Sequence, residues 1–392
     1  MDLTLNRMRI ALKSIGEPCK SIPAIQIAGT NGKGSIASFI SSCLKELGIK
    51  SGITTSPHLI SWCERIRTNN ELISLAELKK NLISLRPVIN KYELTPFESL
   101  ITCALNHFNR KEVELLVLEV GLGGRLDATT AHPYRPIIAM GGIGLDHCEQ
   151  LGNNLKAITK EKAAIIQPGS VVITAKQHQE VEIILKEICL TQKARLHFVK
   201  PLGKEWNLGI PGDIQAQNAA VAKRALESLS EFGWEINERD IKKGLSNAIW
   251  PGRLQKAQWK STPIIIDCAH NAHAAKQLSL ERKNWEGEEL GINWVLAMQT
   301  QKDAPSMLNS LLQPNDLAWI VPVPNHSSWE KEVLLKNNPR YSHQIRSSLH
   351  VEEALYKISL KHKKQSPNIV ITGSIYLLGD LLKRKVVNLK NN

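Results

Sequence analysis

Ile25-Gln26-Ile27-Ala28-Gly29-Thr30-Asn31-Gly32-Lys33-Gly34-Ser35 passes from an apolar run through a glycine-rich turn into a helical pattern. Ile36, Phe39, Ile40, Cys43, Leu44 and Leu47 then recur at the spacing of one helix face, and Gly48 stands where such a helix would stop. A strand that turns through glycines into a helix N-terminus forms an anion site, because backbone N–H groups point at the ligand and the helix dipole favours negative charge. The glycines permit close backbone approach, Lys33 can reach the terminal phosphates of a nucleotide, and the Ser35 hydroxyl suits the magnesium–phosphate region. The spacing is not G-x-x-x-x-G-K-[ST], which would need glycine at position 27 and a hydroxyl residue at position 34. The strand–loop–helix setting carries the reading instead.

Outward from this loop, short apolar runs alternate with helical patterns, the signature of parallel βαβ units. Strands are expected over 24–28, 51–54, 114–120, 137–140 and 170–174, and helices over 35–47, 76–89, 97–108, 155–166 and 215–229. Asn247-Ala248-Ile249-Trp250-Pro251-Gly252-Arg253 reads as a connector because of its Pro and Gly. A second strand series follows near 263–266, 293–297, 317–321 and 368–372. The expected fold class is α/β, with a mostly parallel sheet carrying the phosphate loop over 1–253 and a smaller Rossmann-like α/β domain over 254–392. A chain of 392 residues exceeds what one hydrophobic core usually holds, which agrees with two domains.

The composition, 42% apolar and 22% charged, is globular and argues against a disordered, collagen-like or disulfide-scaffold chain. Fifty basic against 37 acidic residues leave +13, which suits anionic partners. A solvated Lys-rich surface explains that balance as well as nucleic-acid binding does, and no nucleic-acid partner is expected. The seven cysteines are odd in number and contain no C-x-x-C pair, so a zinc ribbon is unsupported and reduced thiols are expected. The N-terminal stretch lacks a signal-peptide apolar region, and no apolar run reaches the roughly 18 residues of a membrane span. A cytoplasmic protein with no membrane partner is expected.

Two further segments point to a site by residue type alone. Thr54-Thr55-Ser56-Pro57-His58-Leu59 puts hydroxyls at a strand's carboxyl end, where α/β folds bind ligands. Leu115-Leu116-Val117-Leu118-Glu119 ends a buried-strand pattern on a carboxylate, a hard oxygen ligand of the kind magnesium prefers. The glycines after it, Gly121, Gly123 and Gly124, are not spaced G-x-G-x-x-G, which excludes a dinucleotide fingerprint. In the second series, Ile264-Ile265-Ile266-Asp267-Cys268-Ala269-His270-Asn271 is again a strand with a polar carboxyl end.

The loop Gly29, Thr30, Asn31, Gly32, Lys33, Gly34 and Ser35 resembles the variant phosphate loop of the Mur ligase superfamily, in particular its folate branch, the dihydrofolate and folylpolyglutamate synthases. Further motifs follow in that family's order. The run around Ser56 resembles S-P-H-L, and that around Glu119 resembles E-V-G-L-G-G-R-L-D-A-T-N, with Thr130 where asparagine is usual. The resemblance implies magnesium held by Ser56, Glu119 and His147, joined by Lys162 as a carbamate, with Ala164 where the family usually has glycine. Only a neutral amine adds carbon dioxide, and a lysine's pKa falls readily on desolvation. Asn218, in a Q-N-A segment, is implied to contact the nucleotide base, and Arg253, in W-P-G-R-L, its phosphates. Asp267 and His270 match the nucleotide side of D-G-A-H-N, with Cys268 replacing glycine. Lys302-Asp303 and Thr372-Gly373-Ser374-Ile375-Tyr376-Leu377 resemble the family's K-D and T-G-S-L-Y-L.

For the acyl substrate, Asp2, Leu3 and Thr4 resemble the start of D-L-G-L-E-R, and Thr95, Pro96, Phe97 and Glu98 resemble T-x-F-E. With Leu126, Asp127 and Ala128 these are the positions that the resemblance implies for dihydropteroate, against which Phe97 offers a ring face. The implied reaction is ATP-dependent addition of L-glutamate to dihydropteroate and to tetrahydrofolate polyglutamates through an acyl phosphate. Lys33, Lys162, His147 and Arg253 would carry the chemistry, with ATP and two magnesium ions; a need for potassium stays open. Alternatives are a monofunctional member, a small-molecule kinase or a nucleotide-gated binding protein. A peptidoglycan Mur ligase is a poorer match, because that branch adds a UDP-sugar-binding N-terminal domain. Small-molecule partners and a monomer are expected.

Overall fold

In the computed structural model, which describes residues 5–285, 287–361 and 368–389, the strand ahead of the glycine loop, β1 (Ala24–Ala28), is buried at every residue. A strand covered on both faces belongs in the middle of a sheet. The sheet also contains β2 (Ser51–Thr54), β3 (Ile66–Thr68), β4 (Glu71–Leu72), β5 (Leu115–Glu119), β6 (Ile137–Met140), β7 (Val171–Ala175) and β8 (Arg195–Val199). Their order is β4-β3-β2-β5-β1-β6-β7-β8, and the six strands from β2 to β8 run parallel. The chain leaves β1 for one side, returns through β5, and continues from β6 on the other side. The carboxyl ends of β5, β1 and β6 therefore flank a topological switch point, where open α/β sheets bind ligands. Ile27 pairs with Glu119 and Ala28 with Met140, so these ends lie level.

The helix Lys33–Glu46 is buried from Gly34 to Leu44 because a second helix, Glu238–Asn247, packs on it. On the other sheet face, Ile101 and Phe108 of the helix Pro96–Arg110 share a core with Leu116 and Leu118. The parallel series expected from sequence is present within a residue or two, but β3 and β4 form an antiparallel extension. They are joined by Asn69 and Asn70 at φ +52° and +66°, a pair suited to a tight hairpin. Strands this short show no periodicity. β8, an edge strand, has only exposed and half-buried residues and lacks a continuous apolar run.

By contacts the chain forms two compact units: one runs to Gly209 and resumes over Gln215–Trp250, the other comprises Ile210–Ile214 and the chain from Pro251 onward. The second unit holds β9 (Gln255–Trp259), β10 (Thr262–Ile266), β11 (Ile292–Leu296), β12 (Leu317–Ile320), β13 (Ile345–Ser347), β14 (Asn368–Thr372) and β15 (Asn388–Leu389) in the order β13-β12-β11-β14-β10-β9-β15. β9 runs antiparallel to both its neighbours, β10 and β15, and the other neighbouring strands pair parallel. Its core closes over Trp294, whose indole N–H donates to the buried Asp316 at 3.1 Å. Asp316 also takes a bidentate pair from Arg282 at 2.7 and 3.1 Å.

In the first unit His132 is buried ahead of β6, its Nε2–H donating to the Ile22 carbonyl at 2.8 Å. Burial pushes its pKa down to about 4. Between pH 6.5 and 4 the unfolded chain binds a proton here that the native chain refuses, so native stability falls as the pH falls through that window. The contribution lost is about 3 kcal/mol. Denaturant unfolding at pH 7 and pH 4.5 should show the wild type losing more stability on acidification than His132→Gln. Parallel losses in the two proteins would refute the assignment.

Candidate active site

Backbone geometry builds the glycine loop. Gly32 adopts φ +86° and precedes the first helical residue, Lys33, with no side chain capping the helix and no acidic residue in its first turn. The first-turn N–H groups thus retain their anion-binding capacity. A Cβ on Gly32 would stand 2.5 Å from Asn218 Oδ1, and one on Gly34 2.7 Å from the Trp250 ring. Only glycine admits these two neighbours. Thr30 locks the loop to the segment after β6: its hydroxyl donates to Gly144 O at 2.9 Å, and the N–H groups of Thr30 and Asn31 donate to Gly142 O. Lys33 Nζ folds back to donate to Gly29 O at 3.1 Å. The Ser35 hydroxyl is buried with no hydrogen-bond partner, an orphaned oxygen in the turn that would face a phosphate-bound cation.

Glu119 closes β5 with its carboxylate buried. The Ser56 N–H donates to Glu119 Oε2 at 3.1 Å, which brings the ends of β2 and β5 together. His147 sits at φ +52°, its N–H donating to Asp146 Oδ1 at 2.9 Å and its ring 3.9 Å from Asp146 Oδ2. Among the described residues no three His, Cys, Asp or Glu side chains already form a metal cluster. A serine hydroxyl, one carboxylate and phosphate oxygens nonetheless make a donor set that fits magnesium, which keeps few protein ligands. Lys162, on the helix Leu155–Ala163, is buried, and its pKa is drawn down to about 7. Burial is the largest cause and the Lys33 charge the second, while Asp146, Asp127 and Glu161 oppose them.

The acyl-side residues divide. Phe97 lies with its ring 2.8 Å from a Cβ position on Gly121, beside the Asp127 carboxylate. Asp127 is fully buried and accepts from the N–H groups of Gly121, Leu122 and Thr129, so it shapes the loop that follows Glu119. Thr95 and Glu98 form a capping box, and Glu98 is also paired with Arg7 at 2.9 Å. T-x-x-E ahead of an apolar run carries that helix signal as well, which the motif reading passed over. Leu126 is exposed and Ala128 buried. Asp2, Leu3 and Thr4 lie outside the described residues.

In the second unit, Asp267 follows β10 and accepts from Leu254 N at 3.0 Å and Ala269 N at 2.8 Å. Burial raises its pKa, against the nearby Arg253 charge. Cys268 sits within this turn: its N–H donates to Gly252 O at 3.0 Å and its thiol packs against Gly252. His270 Nδ1 lies 2.8 Å from Cys268 O.

A probable dihydrofolate synthetase of Schizosaccharomyces pombe is 32% identical to this chain over 412 aligned residues, with 98% of each covered. The chain belongs to the dihydrofolate synthase and folylpolyglutamate synthase family. The family model for the C-terminal domain of dihydrofolate synthetase matches residues 252–384. A dihydrofolate synthase/folylpolyglutamate synthase of Bacillus subtilis is 29% identical, with 97% of this chain and 94% of the relative covered. The folylpolyglutamate synthase of Mycobacterium tuberculosis, solved in complex with ADP and AMPPCP, is 25% identical and superposes with a TM-score of 0.87 over 97% of this chain and 95% of that one. Membership in this family makes the chain an enzyme of the ligase class. Among the described residues no helix is long and apolar enough to cross a membrane.

Sequence reading missed two residues that shape this edge. Gln26 is wholly buried in β1, donating to the Thr129 and Thr130 hydroxyls at 3.0 and 2.9 Å and accepting from Arg135 at 2.6 Å. A lone carboxamide inside an otherwise apolar strand was the available signal. Trp250, in the connector by sequence, packs on Gly34, and the Arg67 guanidinium lies over its ring, 5.4 Å from the centroid. Gly34→Ala should therefore cost about 1–3 kcal/mol through overpacking, and Trp250→Leu should recover part of it. A Gly34→Ala protein that unfolds at the wild-type denaturant midpoint would sink the contact.

Proposed function

We propose that the chain joins the amine of L-glutamate to the carboxylate of dihydropteroate at the expense of ATP. Tetrahydrofolate polyglutamates are a second acceptor, a reading supported by the Bacillus subtilis relative, whose name carries both activities. The observation that carries the proposal is the orphaned Ser35 hydroxyl in an acid-free helix start, beside a strand edge that holds Ser56 against Glu119. The loop from Gly29 to Ser35 would bind the nucleotide phosphates, with Asn218 over Gly32 on the base side. In the second unit, which we assign the glutamate-ligase role, Arg253, Asp267 and His270 are proposed nucleotide contacts.

A carboxylate oxygen of the acceptor attacks the γ-phosphorus of ATP, and ADP leaves with the electron pair of the broken bond. The glutamate amine then attacks the acyl carbon, loses a proton, and phosphate leaves. Lys33 and Arg253 offset charge on the transferring phosphoryl group. Ser56, Glu119, His147 and Lys162 would hold magnesium, which supplies Lewis-acid stabilisation of the phosphate oxygens. Phe97 and Asp127 would receive the flat part of the acceptor. The reading implies small-molecule partners, a monomer and a cytoplasmic setting.

Phosphate release with MgATP and L-glutamate tests this directly, comparing dihydropteroate, tetrahydrofolate and no acceptor. Release should require an acceptor and vanish in Lys33→Ala. Acceptor-independent release, or wild-type turnover by Lys33→Ala, would overturn the assignment.

Lys162 is proposed to act as its carbamate. Its depressed pKa of about 7 leaves the amine largely neutral above that pH, so Nζ can attack the carbon of carbon dioxide and lose a proton. Activity should fall in buffer stripped of carbon dioxide and return with bicarbonate, more completely at pH 8 than at pH 6. Lys162→Ala should be inactive and partly rescued by acetate. Full activity in stripped buffer, with an unmodified lysine by native mass spectrometry, would refute the carbamate.

A further inference from the structure

A cavity of about 280 Å³ opens in the first unit, lined by Arg9, Leu12, Lys13, Lys20, Leu105 and Pro133 among others. It lies between the helix Asn6–Ser14 and the segment that leads into β6. Ala24 N, at the start of β1, donates to Tyr134 O in that segment at 3.0 Å. The cavity is therefore at the amino edge of the sheet, opposite the edge that carries the phosphate loop.

Its charge is one-sided. Glu17, the acidic lining residue, is already paired with Lys20 at 2.7 Å. Arg9 and Lys13 are exposed and take part in no ion pair among the described residues. Behind them Arg135 is only 6% exposed, donates from one terminal nitrogen to Gln26 Oε1, and leaves Nε without a partner. Among the described residues no carboxylate balances it, and the charge acting on it is that of Arg9, of like sign. A buried guanidinium without a counter-charge is costly, and an anion beside Arg9 would offset that cost.

We propose that this cavity is a binding site for a small organic carboxylate, its charged end toward Arg9 and Lys13 and its apolar body against Leu12, Leu105 and Pro133. Arginine forks match carboxylates, and the mixed lining requires an apolar part that inorganic anions lack. The volume is at or below the lower end of the about 300–1,000 Å³ range of ligand pockets. It admits a single ring or a short branched chain and excludes a nucleotide or a folate.

Calorimetric titration of the full-length protein with sodium benzoate, benzamide and inorganic phosphate tests the site. Benzoate should bind saturably, with benzamide and phosphate each at least tenfold weaker. Both side chains are exposed, so the double variant R9Q/K13Q should fold, and it should weaken benzoate at least tenfold while Phe97→Ala leaves it unchanged. No benzoate binding, equal binding of benzamide or of phosphate, or full benzoate binding in R9Q/K13Q would each overturn the proposal. Loss of binding in Phe97→Ala would do the same, by moving the benzoate to the other edge of the sheet.

Discussion

The carboxamide of Gln26 is cut off from water in the middle of β1, so the protein itself must satisfy it. It does so by drawing three side chains to one point: the hydroxyls of Thr129 and Thr130, and the guanidinium of Arg135. Thr129 in turn donates to Asp127, Thr130 donates to Gly124 O, and Asp127 gathers the N–H groups of Gly121 and Leu122. The loop after Glu119 is held by this chain of buried hydrogen bonds, and the position of the Glu119 carboxylate follows from it. Low local dielectric strengthens each bond and penalises any that is lost.

The carboxyl edge then concentrates charge in a dry place. Lys33 and Lys162 raise the potential together, and the charges of Asp146, Asp127 and Glu161 oppose it. An edge of this kind favours a polyanion entering the loop and disfavours a second protonated amine. Burial first and the like charge of Lys33 second reduce the proton affinity of Lys162.

Much of the site could be read from residue order. The phosphate loop, the Ser56 and Glu119 strand ends and the second-unit turn at Asp267 each announce themselves as an apolar strand broken by glycine or a polar residue. Thr95 and Glu98 were less transparent, because T-P-F-E is at once a motif and a capping box, and the structure engages both residues in the cap and in the Arg7 pair. Arg135 and Trp250 gave no local sign. A buried unpaired cation and an indole against a glycine are products of distant segments meeting.

The sequence by itself determined the α/β class, the parallel strands and a helix after the glycine turn, read from position 35 and starting at Lys33, since period and glycine signals act over a few residues. Tertiary structure alone decided that β5 would insert between β2 and β1, that Gly32 and Gly34 would be overlaid by Asn218 and Trp250, and that Lys162 would be buried beside Lys33. Those outcomes depend on long-range packing and on the removal of water from charged groups. Neither quantity is defined until the segments that exclude the water have come together.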